Sequence, residues 1–312
     1  IGGFVMQRFK NILLVASSTA EMSETLDRAV QLAQDNQAQL TVVDIRKEPL
    51  ISKDPTEPSL PPLEPRETTP ENGLERLIAP IRAKGVRIDA KVLTGIPFIE
   101  ITRQVLKYKY DLVMKTAAGA TGTRAMLFGS TALHLMRKCP CPVWIIKPIK
   151  HKHYHRILAA VDPDTWNATK AGLNRMIMEL ATSMAMRENS ELHVVLAWNP
   201  YLENILPDNT APQGNGQKPV EPEIQKRLMS ELLARYGVKG LKLKTHLIEG
   251  NPEDVILSVA REERIELIVM GTIGRVGLPG LFIGSTAEDV LRQIDCSVLT
   301  VKPDGFVTPV TI

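Results

Sequence analysis

Little in this chain points to an extracellular or membrane-bound protein. It has only three cysteines, Cys139, Cys141 and Cys296, which make no disulfide framework. No apolar run is long enough to span a bilayer. Arg8, Lys10 and Asn11 interrupt the first apolar stretch, so no signal-peptide pattern opens the chain. Met6 is a candidate natural start. The formal charge of +3 is too slight to argue for nucleic acid or an anionic membrane. Several enzyme signatures are also missing. There is no Gly-x4-Gly-Lys-Ser/Thr loop, no Gly-x-Gly-x-x-Gly after the first strand and no Gly-x-Ser-x-Gly elbow. A His-x-Gly-His run is absent too. The expectation is a reduced, soluble, cytoplasmic protein outside the common hydrolase and dehydrogenase classes.

What is present is a repeat. The 312 residues exceed what one small α/β core usually holds. Residues 110–148 align with 265–303 without a gap. Phe128-Gly129-Ser130-Thr131-Ala132 answers Ile283-Gly284-Ser285-Thr286-Ala287. Gly95-Ile96-Pro97 answers Gly250-Asn251-Pro252, and Lys147-Pro148 answers Lys302-Pro303. The expected domains are residues 6–150 and 151–312, joined near His151 to His155.

Each copy reads as alternating strands and helices. Ile12 to Ala16 is a buried strand, and Leu26, Ala29, Val30 and Ala33 fall on one helical face. Seven prolines in residues 49–70 forbid regular structure there. Leu74, Leu77, Ile78 and Ile81 suggest the next helix. Ile88, Ala90 and Val92 alternate with polar residues, as a half-exposed edge strand should. The second copy repeats this order, with its Pro-containing loop at 199–222 and a third strand alternating Leu241, Leu243, Thr245 and Leu247. Such alternation implies parallel sheets with helices on both faces. The expected fold class is α/β: two flavodoxin-like or Rossmann-like units, each of five strands in the order 3-2-1-4-5. Their ligand crevices would lie at the carboxyl ends of strands 1 and 4.

One stretch carries chemistry. Leu267 to Met270 is a short buried strand, followed by Gly271, Gly274 and, after a loop, Gly284-Ser285, where a helical pattern begins. Glycines let a backbone approach a ligand closely. The free N–H groups near Gly284 to Ala287 suit phosphate. Ser285 with Glu288 three residues on also reads as a capping box, so Ser285 has a structural role as well.

The spacing Gly271-x2-Gly274-x9-Gly284-Ser285 closely resembles the nucleotide-binding branch of the universal stress protein family. The resemblance extends over nearly the whole chain, as two copies in tandem. It implies that the second copy binds an adenine nucleotide, ATP, with Mg²⁺ as companion. Val161 and Met270 would contact adenine, with Ala197 lining the same pocket. Asp162 would meet the ribose or the adenine amino group, or else cap the helix that follows. Gly271 would allow a close backbone approach. Gly274, Gly284, Ser285, Thr286 and Ala287 would surround the phosphates. Arg275 reads equally as a phosphate contact or a solvated loop residue.

The first copy has Ser17 in place of Asp162, and Lys115-Thr116 in place of Met270-Gly271. It is expected to bind no ATP in this mode. In the family the fifth strands of two units commonly pair, so an internal pseudo-dimer is expected, with further homodimerisation possible. The resemblance implies a regulatory stress-response role with an unknown protein partner. The alternatives are a slow ATPase or autophosphorylating protein, and a nucleotide-free scaffold or small-molecule carrier. Lys147 and Lys302 read as solvated strand ends, and His151, His153 and His155 as a solvated linker rather than a metal site.

Overall fold

The computed structural model describes residues 8–16, 22–46, 70–117, 128–149, 151–162, 168–199, 222–236, 240–273 and 283–312. The chain divides into two compact units. The first comprises Ile1–Gly119, Gly129–Pro148 and Val307–Ile312; the second comprises Ala120–Phe128 and Ile149–Phe306.

The first unit holds β1 (Asn11–Val15), α1 (Met22–Asn36), β2 (Gln39–Arg46), α2 (Pro70–Arg82), β3 (Ile88–Thr94), α3 (Pro97–Tyr108), β4 (Leu112–Thr116), α4 (Ser130–Lys138) and β5 (Val143–Ile146). Hydrogen bonds join β3 to β2, β2 to β1, β1 to β4 and β4 to β5, all parallel. The order 3-2-1-4-5 follows. Apolar side chains of β1 and β4 are wholly buried, Ile12, Leu13, Leu14, Leu112, Val113 and Met114 among them. Each such Leu or Ile contributes about 1.5–3 kcal/mol by leaving water. On β3, an edge strand within this unit, burial is partial. Helix α2 begins at Pro70, the last of the seven prolines, a residue well suited to a helix's first turn because its missing N–H would have no partner there.

The second unit repeats the plan with β6 (Arg156–Ala160), α5 (Ala168–Glu188), β7 (Glu191–Trp198), α6 (Pro222–Arg235), β8 (Leu243–Glu249), α7 (Pro252–Glu262), β9 (Leu267–Gly271), α8 (Ser285–Gln293) and β10 (Ser297–Val301). Its parallel pairings run β8–β7, β7–β6, β6–β9 and β9–β10. The repeated Gly-x-Pro element starts a helix in each unit. Gly95 and Gly250 take φ of 138° and 153°, and Pro97 and Pro252 open α3 and α7. At Gly250 a β-carbon would also come within 3.0 Å of Val255 Cγ2.

Strand order reverses between β6 and β9. Crossovers before and after that point therefore run in opposite directions and cover opposite faces. In keeping with this, α5 packs on β6 and β9, while α7 packs on α8. The crevice at the carboxyl ends of β6 and β9 is thus flanked by α5 on one side and the start of α8 on the other.

Candidate functional site

Val161 and Asp162 leave β6, and Met270 and Gly271 end β9. Val161 N–H donates to the Val195 carbonyl at 3.0 Å, which extends the ladder past the strand. Val161 and Met270 are 6% and 3% exposed, so core packing alone accounts for them. Ala197, near the end of β7, is half-buried.

Two neighbours on α5 fix the strand ends. A β-carbon on Gly271 would lie 2.5 Å from Leu173 Cδ2. The close approach that Gly271 permits is therefore made by Leu173, and packing explains this glycine before any ligand is considered. Next to Leu173, the buried Asn174 holds the backbone of Asp162 from both sides. Asp162 N–H donates to Asn174 Oδ1 at 3.0 Å, and Asn174 Nδ2 donates to the Asp162 carbonyl at 2.7 Å. The Asp162 carboxylate is exposed and sits 2.7 Å from Lys170 Nζ. The helix-cap reading of Asp162 falls on residues 163–167, outside the described residues; the Asp162 carboxylate itself turns to Lys170.

Gly284 links the loop's far end to the strand. Its N–H donates to the Thr272 carbonyl at 2.7 Å, one residue past Gly271. It is also the N-cap of α8, with no side-chain cap bond. The expected capping box is therefore corrected: Ser285 is the first helical residue, one position too late to cap. Glu288 N–H bonds the Gly284 carbonyl at 3.0 Å, and the Glu288 carboxylate reaches Arg292 at 2.6 Å. The amides of Ser285, Thr286 and Ala287 precede the first intrahelical bond and carry the positive end of the helix dipole. Gly284's own amide is not among them. The Ser285 side chain is exposed and Ala287 is buried. Gly274, Arg275 and Ser17 lie outside the described residues.

Sequence reasoning missed three groups here. Asn174 gave no signal beyond a polar residue in an apolar stretch. Glu253, in the first turn of α7, accepts from Thr286 Oγ1 at 3.5 Å and so places a carboxylate beside the start of α8. Lys302 is the third. It was expected as a solvated strand end but is 5% exposed, donates to Thr272 Oγ1 and lies 5.2 Å from the Phe306 ring centroid. Lys147, its counterpart, is likewise buried. In both cases the residue after the fifth strand is still buried, so its charge must find partners inside.

The first unit differs where the sequences differ. Thr116 stands in place of Gly271, and its hydroxyl donates to Thr25 Oγ1 on α1 at 2.9 Å. Lys115 folds onto the Thr116 carbonyl at 2.8 Å, and burial pushes its ammonium below the ordinary lysine range. Strand end and helix are joined there by hydroxyls, where the second unit has a glycine against a leucine.

The model of the universal stress protein family matches residues 8–147 and again 153–302. The universal stress protein E of Salmonella typhi is 32% identical over 241 residues, covering 73% of this chain and 72% of that protein. That of Photorhabdus laumondii is 29% identical over 316 residues, covering 98% of each. Among solved structures, a putative universal stress protein from Pseudomonas aeruginosa superposes with a TM-score of 0.73 at 23% identity, covering 96% of this chain and 95% of that one. The fold, the duplicated match and the relatives agree: the chain belongs to the universal stress protein family, two copies of whose unit it carries in tandem.

Proposed function

We propose that the second domain, residues 151–312, binds an adenine nucleotide, ATP with Mg²⁺, and that occupancy regulates what the protein does under stress. One observation carries the reading. The Gly284–Thr272 bond draws three amides of α8, without a backbone partner among the described residues, up to the end of β9 at the strand-order reversal. Helix starts of this kind suit phosphate, and a strand-order reversal is where ligands sit in open α/β sheets.

Val161, Ala197 and Met270 would meet the base and Asp162 the ribose. The amides of Ser285 to Ala287 would meet the phosphates, with Gly274 and Arg275 from the loop. Magnesium would add a hard cation, held chiefly by phosphate oxygens and water. The ligand would act by favouring one arrangement of the loop between Gly274 and Gly284, as differential binding requires. The first domain, with Lys115 and Thr116 at the matching place, would be a degenerate partner.

Calorimetric titration of the intact chain with Mg·ATP tests this. One equivalent should bind, and Asp162→Ala should weaken it. The absence of saturable heat would overturn the reading. Titration with γ-labelled ATP separates a binder from a slow hydrolase or an autophosphorylating protein: retained nucleotide supports the binder, sustained phosphate release the enzyme. Membrane association is not part of the proposal, and among the described residues no helix is long and apolar enough to cross a bilayer.

A further inference from the structure

A second cluster lies at the opposite, amino end of β6 and β9. The run His151-Lys152-His153-Tyr154-His155 precedes β6, and Glu266 immediately precedes β9. The parallel register pairs Ile157 with Leu267, and Glu266 N–H donates to the Arg156 carbonyl at 3.1 Å. Glu266 is thereby brought alongside residues 111 positions earlier. The three histidines do not behave alike. His153 turns away to Glu188, with Nδ1 3.2 Å from its Oε2. His151 and His155 turn toward Glu266, and one ligand atom from each of these three residues lies within 4.8 Å of the others. Of the three, His153 and His155 are exposed as a solvated linker would be, whereas His151 is half-buried against Glu266.

The hydrogen bonds define what the cluster lacks. Glu266 Oε2 accepts the backbone N–H of His155, which fixes the carboxylate. The other oxygen, Oε1, lies 2.9 Å from His151 Nε2. His151 Nδ1 lies 2.6 Å from the His153 carbonyl, and a carbonyl can only accept. The ring hydrogen therefore belongs on Nδ1. In the neutral ring, Nε2 then presents a lone pair to a carboxylate oxygen. Two acceptors at that distance need a positive charge between them, either a second proton or a metal ion. An imidazole that donates its remote N–H to a backbone carbonyl has the second-sphere arrangement of metal-bound histidines.

We propose that His151, His155 and Glu266 form a binding site for a divalent transition cation of the zinc type. Two imidazole nitrogens and one carboxylate oxygen are ligands such ions accept, with bond lengths of about 2.0–2.2 Å. Tetrahedral bonds of that length put ligand atoms about 3.3 Å apart, so the widest gap must shrink. His155 supplies the movement. Its ring stacks on that of His151, with centroids 3.9 Å apart and planes 12° from parallel. Parallel rings cannot aim both lone pairs at one point, so His155, the exposed member, must turn out of the stack as the ion binds. Remaining coordination positions face water.

The test is titration of the intact, tag-free chain with Zn²⁺, followed by calorimetry and by competition with a chromophoric chelator. One equivalent should bind in the micromolar range or tighter and raise the unfolding temperature, since Glu266 joins the two histidines only in the folded chain. Glu266→Gln and His155→Ala should each weaken binding at least about tenfold, the scale already seen for lesser, outer-sphere changes. His153→Ala should leave it unchanged. Because Glu266→Gln also alters a backbone contact, the exposed His155 provides the second variant, and circular dichroism checks that both remain folded. Co²⁺ in place of zinc should give visible absorption bands that His155→Ala removes. Binding weaker than micromolar, or affinity equal in wild type and both variants, would overturn the site.

Discussion

Leu173 occupies the space that a side chain on Gly271 would need: the absent β-carbon would sit 2.5 Å from Leu173 Cδ2. The glycine at the end of β9 and the leucine in α5 are a matched pair. In the first unit the corresponding strand end, Thr116, instead bonds to Thr25 across the same kind of gap.

The pair sets a stability expectation. Gly271→Ala should destabilise the protein by about 1–3 kcal/mol, the usual cost of overpacking. Leu173→Ala should cost about 2–5 kcal/mol as a buried leucine truncation. The double variant should lose clearly less than the sum, because the smaller residue makes room for the added methyl. Urea unfolding of the four proteins measures the coupling. Strict additivity would mean that the two residues do not share this space.

Asn174→Ala removes both bonds that hold the Asp162 backbone, leaving a part-buried N–H and carbonyl to find other partners. A loss of about 1–3 kcal/mol is expected. Amide hydrogen exchange should rise at Asp162, whose N–H loses its acceptor. Protection unchanged from wild type would show that the clamp contributes nothing.

Glu253 places a carboxylate beside the positive end of α8. Glu253→Gln should therefore lower the stability of the ligand-free protein by about 0.3–1 kcal/mol. If the amides of Ser285 to Ala287 receive phosphate, the same change should strengthen Mg·ATP binding several-fold, because a competing anion is gone. Calorimetry of the variant decides it. Weaker binding would place Glu253 among the residues that assist the ligand rather than oppose it.

Acid should weaken the second unit through His193 and His246, whose Nδ1 and Nε2 lie 3.0 Å apart on neighbouring strands β7 and β8. Burial holds both imidazoles below the ordinary value of 6.5, against opposing pulls from Glu191 and Glu263. The unfolded chain then binds more protons than the folded one at pH values below that figure. Stability contributed by these groups is complete above about pH 6.5 and declines as pH falls toward their lowered folded values. Urea midpoints recorded between neutral and mildly acid pH should drop on acidification. A flat profile there, or one rising toward acid, would contradict the assignment.

The sequence alone settled the duplication, the order of strands and helices and the Gly-rich spacing at Gly271 and Gly284. Those features rest on hydrophobic period and on residue types with narrow backbone roles, both of which can be read locally. It misplaced Lys302 and Lys147, because burial of the residue that follows a strand depends on what the fold lays over it. It took Ser285 for a cap, because a shift of one residue in the helix start is invisible to pattern. Asn174 with Asp162, Glu253 with Thr286, and Glu266 with His151 are separated by 12, 33 and more than 100 positions. Such pairs exist only once strand register and helix packing have brought distant segments together, and so tertiary structure alone decided them.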